Sequence, residues 1–229
     1  MSISTRSRLL ELQKQYSDPL LTVLTVLLLI MLFVVAPFQA AGLKIFEPFG
    51  VIVGVAMIAG VFVMSSSIPA TALVSAGFLL NAIVVLARLN GRFSYDLYLL
   101  SIAWLVIVCT VGFVVARKVF GPGEITYHRI VGAVLLYLLI AMAFVSLFTL
   151  VGFRVPNAFN GMVLADDEKM ASNLIYFSFV TLTSTGYGDI FPVYPVARSL
   201  CNLETIIGQL YPATLLARLV TLEIEGRRR

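Results

Sequence analysis

The chain of 229 residues is 60% hydrophobic and only 12% charged, with a net charge of +4. A soluble domain of this length carries about twice that charged fraction, so a water-soluble fold is excluded. The apolar runs are continuous and near the roughly 20 residues that cross a bilayer, which points to helical spans and excludes a barrel of alternating strands.

The polar residues 1–18 are followed by an apolar run, 20–38, that is too long for the core of a signal peptide, so it is expected to stay as a first span. Six spans are expected, at 19–38, 48–66, 68–88, 97–117, 129–152 and 194–222. Cys109 and Cys201 fall inside spans, where a thiol behaves as a small hydrophobe; neither a disulfide framework nor a metal site is implied. With six spans, Arg6, Arg8, Lys14, Arg117, Lys118, Arg129 and the closing arginines 227–229 share one side. Lysine and arginine in short loops mark the cytoplasm, so both termini are expected there, in a plasma or bacterial inner membrane. Lys44, Arg88, Arg92, Arg154 and Lys169 lie on the other side but are scattered.

The glycine-rich stretch GPGEITYHR, 121–129, divides the chain. Residues 1–120 form a four-span unit, 121–128 a linker, and 129–229 a unit of two spans with a shorter apolar stretch between them. No internal repeat and no sizeable soluble domain is expected within these residues. The short stretch, 171–183, makes a helix of roughly 20 Å at 1.5 Å per residue, too short to cross. It must enter and return, and irregular backbone at that depth is tolerated only inside protein or beside a water-filled path.

Directly after the half-helix comes TLTSTGYGD, Thr181 to Asp189. Glycine adopts positive φ at little cost, so glycine alternating with other residues turns successive carbonyls to one side. Rings of such carbonyls replace the hydration shell of a cation. One strand cannot enclose an ion; several chains must contribute, and a homotetramer is expected. Tyr187 should point away from the axis and pack on half-helix aromatics such as Tyr176 and Phe177.

At these residues the chain resembles the pore-loop potassium channels, whose selectivity filter commonly reads Thr-Val-Gly-Tyr-Gly-Asp. The resemblance covers roughly residues 129–220 and includes FPVYPVARSL and the glycine of IIGQLYP. It implies an all-α membrane protein with a re-entrant pore helix, assembled as a homotetramer among membrane lipids. The implied filter is Ser184, Thr185, Gly186, Tyr187 and Gly188, with K+ held by the backbone carbonyls of Ser184 to Tyr187. Asp189, Tyr176, Phe177 and Thr181 are expected to support it. K+ is then the permeant ion; no cofactor, nucleic-acid partner or enzymatic activity is expected.

Three positions depart from the pattern. Ser184 stands in place of threonine and lacks the methyl that restricts the rotamer. Thr185 replaces valine and adds a hydroxyl in need of a partner. Val180 cannot supply the carboxylate that some members place behind the filter, leaving Asp189 to half-helix polar groups or water. A weakly selective cation channel, or a non-conducting receptor or assembly subunit, is therefore an alternative reading.

In the last span Gly208 matches the family's hinge glycine, Pro212 removes a helix hydrogen bond, and Leu216 could form a constriction below the bend. The alternative is that small residues there allow close packing. Glu204, Thr205 and Gln209 are candidate polar cavity positions, with a structural role behind the filter open for Glu204. Asp166, Asp167 and Glu168 could concentrate cations or cap the half-helix. Six spans suggest a voltage-gated layout, yet the fourth has no lysine or arginine before Arg117, so no conventional voltage sensor is expected. His128, the only histidine, is an interfacial residue or a proton sensor.

Overall fold

Apolar runs this long fold as helices in lipid because a helix satisfies every backbone donor and acceptor within itself. The computed structural model describes residues 18–43, 47–64, 68–91, 95–121, 126–164 and 168–227. Among these, α1 covers Asp18–Ala40, α2 Glu47–Met64, α3 Ile68–Asn90, α4 Asp96–Val119 and α5 Tyr127–Arg154. The half-helix α6 is Glu168–Leu182, and α7 is Pro195–Arg227. The fold is that of a helical membrane protein.

By length and composition, α1, α4, α5 and the Ile68–Arg88 part of α3 can cross a membrane. The apolar part of α2, Ile52–Met64, is shorter. The 33 residues of α7 extend about 50 Å, well beyond a hydrocarbon layer of about 30 Å. Helices thus stand at all six expected spans, while four meet the crossing criterion among the described residues. Asp166 and Asp167 lie outside those residues, as do Arg6, Arg8, Lys14, Lys44, Arg92, Arg228 and Arg229.

Pro37 leaves its mark on α1. Its ring collides with the carbonyl four residues back in a regular helix, and it offers no N–H. The preceding segment Met31–Val35 is a π-helical turn, with the Ala36 N–H bonded to the Met31 carbonyl, and this widened turn absorbs the proline. The start of α5 is set by Thr126, whose hydroxyl accepts the Arg129 N–H.

Two cores share α5. The first is aliphatic and joins Leu21, Leu24 and Leu28 of α1, Val53, Met57 and Val61 of α2, Val74 of α3, Ile107 and Val111 of α4, and Leu135 and Leu139 of α5. Gly77 admits a close approach: a Cβ there would lie 2.6 Å from Ile107 Cγ1. The second core is aromatic. Phe148 of α5 lies with its ring centroid 5.0 Å from Phe177 of α6 and 5.7 Å from Phe159, while Leu174, Ala197 and Cys201 complete the cluster.

The cationic residues at one end of the bundle interlock. Lys118 Nζ sits 3.0 Å from an Asp18 carboxylate oxygen, and Thr126 donates to the other at 3.2 Å. Arg218 of α7 donates to the Phe120 carbonyl and stacks over the Phe120 ring. The ends of α1, α4, α5 and the later part of α7 are therefore on one side. His128 belongs to the same end, its Nδ1 lying 2.7 Å from the Thr22 hydroxyl.

Candidate functional site

The loop begins where α6 ends, and the way α6 ends shapes it. Ser184 N–H bonds to the Thr181 carbonyl at 3.0 Å and Thr185 N–H to the Val180 carbonyl at 2.9 Å. This reciprocal pair is a Schellman cap, which needs a left-handed residue just past the helix, usually glycine. Here serine fills it: Ser184 has φ +57°. A non-glycine residue in this region costs on the order of 1–2 kcal/mol. The two cap bonds hold it there.

From that point the handedness alternates. Ser184, Gly186 and Gly188 have φ of +57°, +62° and +80°, while Thr185 and Tyr187 between them do not enter the positive region. Backbone of alternating hand sends its carbonyls to one side and its N–H groups to the other, a geometry suited to coordinating cations. The two glycines provide it without strain; a side chain at either would be strained whatever the space.

Polar side chains behind the loop are paired with one another. Thr183 donates to the Phe179 carbonyl at 2.7 Å, and its oxygen lies 2.8 Å from the Thr185 hydroxyl. A hydroxyl has a single proton, so Thr185 is the donor in that contact. Tyr176 donates to an Asp189 carboxylate oxygen at 2.8 Å, and the Tyr176 and Tyr187 rings stack with centroids 6.2 Å apart at 4°. The carboxylate that Val180 cannot engage is met by a half-helix phenol. Tyr187 remains largely exposed, beside an open groove flanked by Phe33, Tyr176, Phe179, Val180 and Thr185.

The outer end of the loop is strapped by a strand pair that hydropathy does not reveal. Two-residue strands β1, Phe159–Asn160, and β2, Phe191–Pro192, pair antiparallel. Val193 N–H reaches the Ala158 carbonyl at 2.8 Å. Gly161, at φ +85°, lies so close to the Asp189 carbonyl that a Cβ would collide with it.

The inner side of the loop rests on α7. Thr205 donates to the Thr181 carbonyl at 3.3 Å, and the Gln209 amide donates to the Ser184 hydroxyl oxygen at 2.8 Å. Between them, a Cβ at Gly208 would run into the Leu182 carbonyl oxygen, so glycine here permits α7 to press against the end of α6. The helix runs unbroken through Gly208 and Pro212, although proline leaves the Gly208 carbonyl without its intrahelical donor. Leu216 is exposed and two turns away from the loop.

Of the two placements open to Glu204, in a cavity or behind the loop, the structure has the second. As a cavity candidate it should face open space, yet it is completely buried. Its Oε1 lies 2.5 Å from Ser178 Oγ of α6, which is also 2.9 Å from the Ala141 carbonyl of α5. The physical reason is that a carboxyl surrounded by apolar helices must find hydrogen-bonding partners, and Ser178 is the one in reach. Glu204 therefore joins α5, α6 and α7 behind the loop. Phe177 sits in the aromatic core, and Thr181 contributes its carbonyl to both Ser184 and Thr205.

Residues 133–224 match the family model described as an ion channel. The match is to an ion channel domain and spans less than half of the chain. That domain covers most of α5 and all of β1, α6, the loop and β2, together with α7 as far as residue 224. No curated protein and no solved structure matches the chain.

Proposed function

We propose that the chain is one subunit of a homotetrameric potassium channel, which conducts K+ passively through a pore formed by residues 184–188 of four copies. The observation that carries this reading is the alternation of positive φ at Ser184, Gly186 and Gly188, which aligns carbonyls as a dehydrated cation requires. The ion channel domain supports conduction as such. A single loop per chain favours four copies, since one strand leaves most of the ion's coordination shell empty. Gly208 and Pro212 mark the place where α7 can bend, and Leu216 the constriction beneath it. The cationic end joined by Lys118, Thr126 and Arg218 faces the cytoplasm of a plasma or inner membrane under the positive-inside rule. The fourth helix carries no basic residue before Arg117, so a conventional voltage sensor is not part of this reading.

The test is reconstitution of the purified full chain in liposomes, with flux driven by a potassium gradient. Potassium flux that collapses in a Gly186 variant is expected; absence of flux across a range of voltage, pH and lipid composition overturns conduction. A reversal potential that ignores the exchange of potassium for sodium would leave the weakly selective cation channel standing instead.

A further inference from the structure

We propose that Gln209 of α7 is a specificity-determining residue, which secures the discrimination of potassium from sodium by pinning the hydroxyl of Ser184. The inference rests on the potassium-channel reading above and adds to it the residue that compensates for serine.

Ser184 is the weakest point of the loop on chemical grounds. It is the non-glycine member of the three left-handed positions in the loop, and it also caps α6. Threonine has a second substituent on Cβ that leaves few side-chain rotamers open; serine does not, and its hydroxyl swings among three. A loop whose first coordinating residue moves freely can adjust to ions of different size, and stringency falls.

The structure supplies the missing restriction from another helix. Gln209 Nε2 lies 2.8 Å from Ser184 Oγ and donates to it. The amide is delivered by a specific arrangement on α7, where Thr205, Gly208 and Gln209 fall on one face at spacings of three and four residues. Thr205 bonds to the Thr181 carbonyl, Gly208 lies against the Leu182 carbonyl, and Gln209 comes to rest on Ser184. The three contacts track α6 and its cap from residue 181 to 184 in order. The fit depends on the absence of a side chain at Gly208. The serine proton is left free to donate elsewhere, so the amide fixes the oxygen without consuming the hydroxyl's donor.

The experiment measures bi-ionic reversal potentials of the full chain in planar bilayers, with potassium on one side and sodium on the other. Gln209→Met keeps the length of the side chain but removes the donor, and Gln209→Ala serves if the methionine variant fails to assemble. The expected result is a potassium-to-sodium permeability ratio that falls about tenfold or more, with assembly by size exclusion unchanged. Ser184→Ala should lower the ratio as Gln209→Met does, and the two together should lower it no further than either alone, because the amide acts through that hydroxyl; a role of Gln209 in packing alone would add to the loss. A selective wild type with an equally selective Gln209→Met overturns the inference, as do losses that add in the double variant. A wild type that conducts but does not discriminate overturns the potassium reading itself, and is told apart by appearing before any substitution is made.

Discussion

Around Ile107 and Val111 the hydroxyls of α4 turn back on their own helix: Ser101 bonds to the Leu97 carbonyl and Thr110 to the Val106 carbonyl, each four residues earlier. Around Phe148 and Phe177 the hydroxyls of Ser146, Thr149 and Thr181 do the same, but other polar side chains cross to neighbouring elements. Ser178 reaches Ala141 and Glu204, Thr205 reaches Thr181, and Gln209 reaches Ser184. Bonds within a helix satisfy a hydroxyl but fix no neighbour. Bonds between elements fix distances, and in lipid, where apolar side chains gain little by leaving one apolar medium for another, such bonds and close packing decide which helix sits where. The first region has such bonds too, Thr25 to the Val131 carbonyl and Tyr211 to the Ala133 carbonyl, but they are denser next to the loop, which should tolerate repacking less.

The largest effect that would test this contrast is at the loop. Gly186→Ala places an L side chain at φ +62°, costs on the order of 1–2 kcal/mol, and disturbs the alternation; potassium flux from liposomes should be abolished. Gly112→Ala in α4 meets just Leu136 Cδ1, at 3.7 Å, and should leave flux unchanged. Equal losses in the two variants would break the comparison.

Next come the cores. Phe148→Ala removes a fully buried ring in contact with Phe144, Phe159 and Phe177, and should destabilise the fold by about 5 kcal/mol, against about 2 kcal/mol for the equally buried Ile107→Ala in the aliphatic core. Thermal unfolding of both in detergent gives the ratio. A difference within experimental error would mean that the aromatic cluster is no more exacting than its aliphatic neighbour.

Smaller again is the link between three helices. Ser178→Ala leaves the buried Glu204 without its partner and should cost about 1–3 kcal/mol. Ser101→Ala should stay within about 0.5 kcal/mol. Because Glu204 is buried away from open space, Glu204→Gln should leave conductance and rectification as they are; altered rectification in single-channel records would return it to the cavity. Tyr176→Phe removes one hydrogen bond to Asp189 worth about 1 kcal/mol. It should lower thermal stability by that amount while the ring stack with Tyr187 persists.

The legibility of the residues divides along the same line. Hydropathy locates the membrane helices to within about two residues, 97–117 against Asp96–Val119 for α4 and 129–152 against Tyr127–Arg154 for α5, since lipid burial and helix formation coincide there. The half-helix and the glycines after it are legible because short apolar length and positive-φ residues are local signals. The end of α7 is not, because its helix continues to Arg227 past the apolar residues that define the span. The cap at Ser184 is hidden because the usual signal is glycine, and serine at that place resembles an ordinary loop residue. The strand pair of Phe159–Asn160 with Phe191–Pro192 is too short for any alternation to register. Glu204 can be flagged as costly but not placed: its partner Ser178 lies 26 positions earlier, and no local pattern connects them.

The double membership of α5 has a mechanical side. Leu135 and Leu139 are buried in the aliphatic core, and the Ala141 carbonyl, two residues on, is the acceptor that holds Ser178 of the half-helix. A rotation of α5 about its own axis would turn both at once, since they are rigidly related by the helix. The helices α1 to α4 therefore pack in one core with the same helix whose Ala141 carbonyl receives Ser178 of the half-helix.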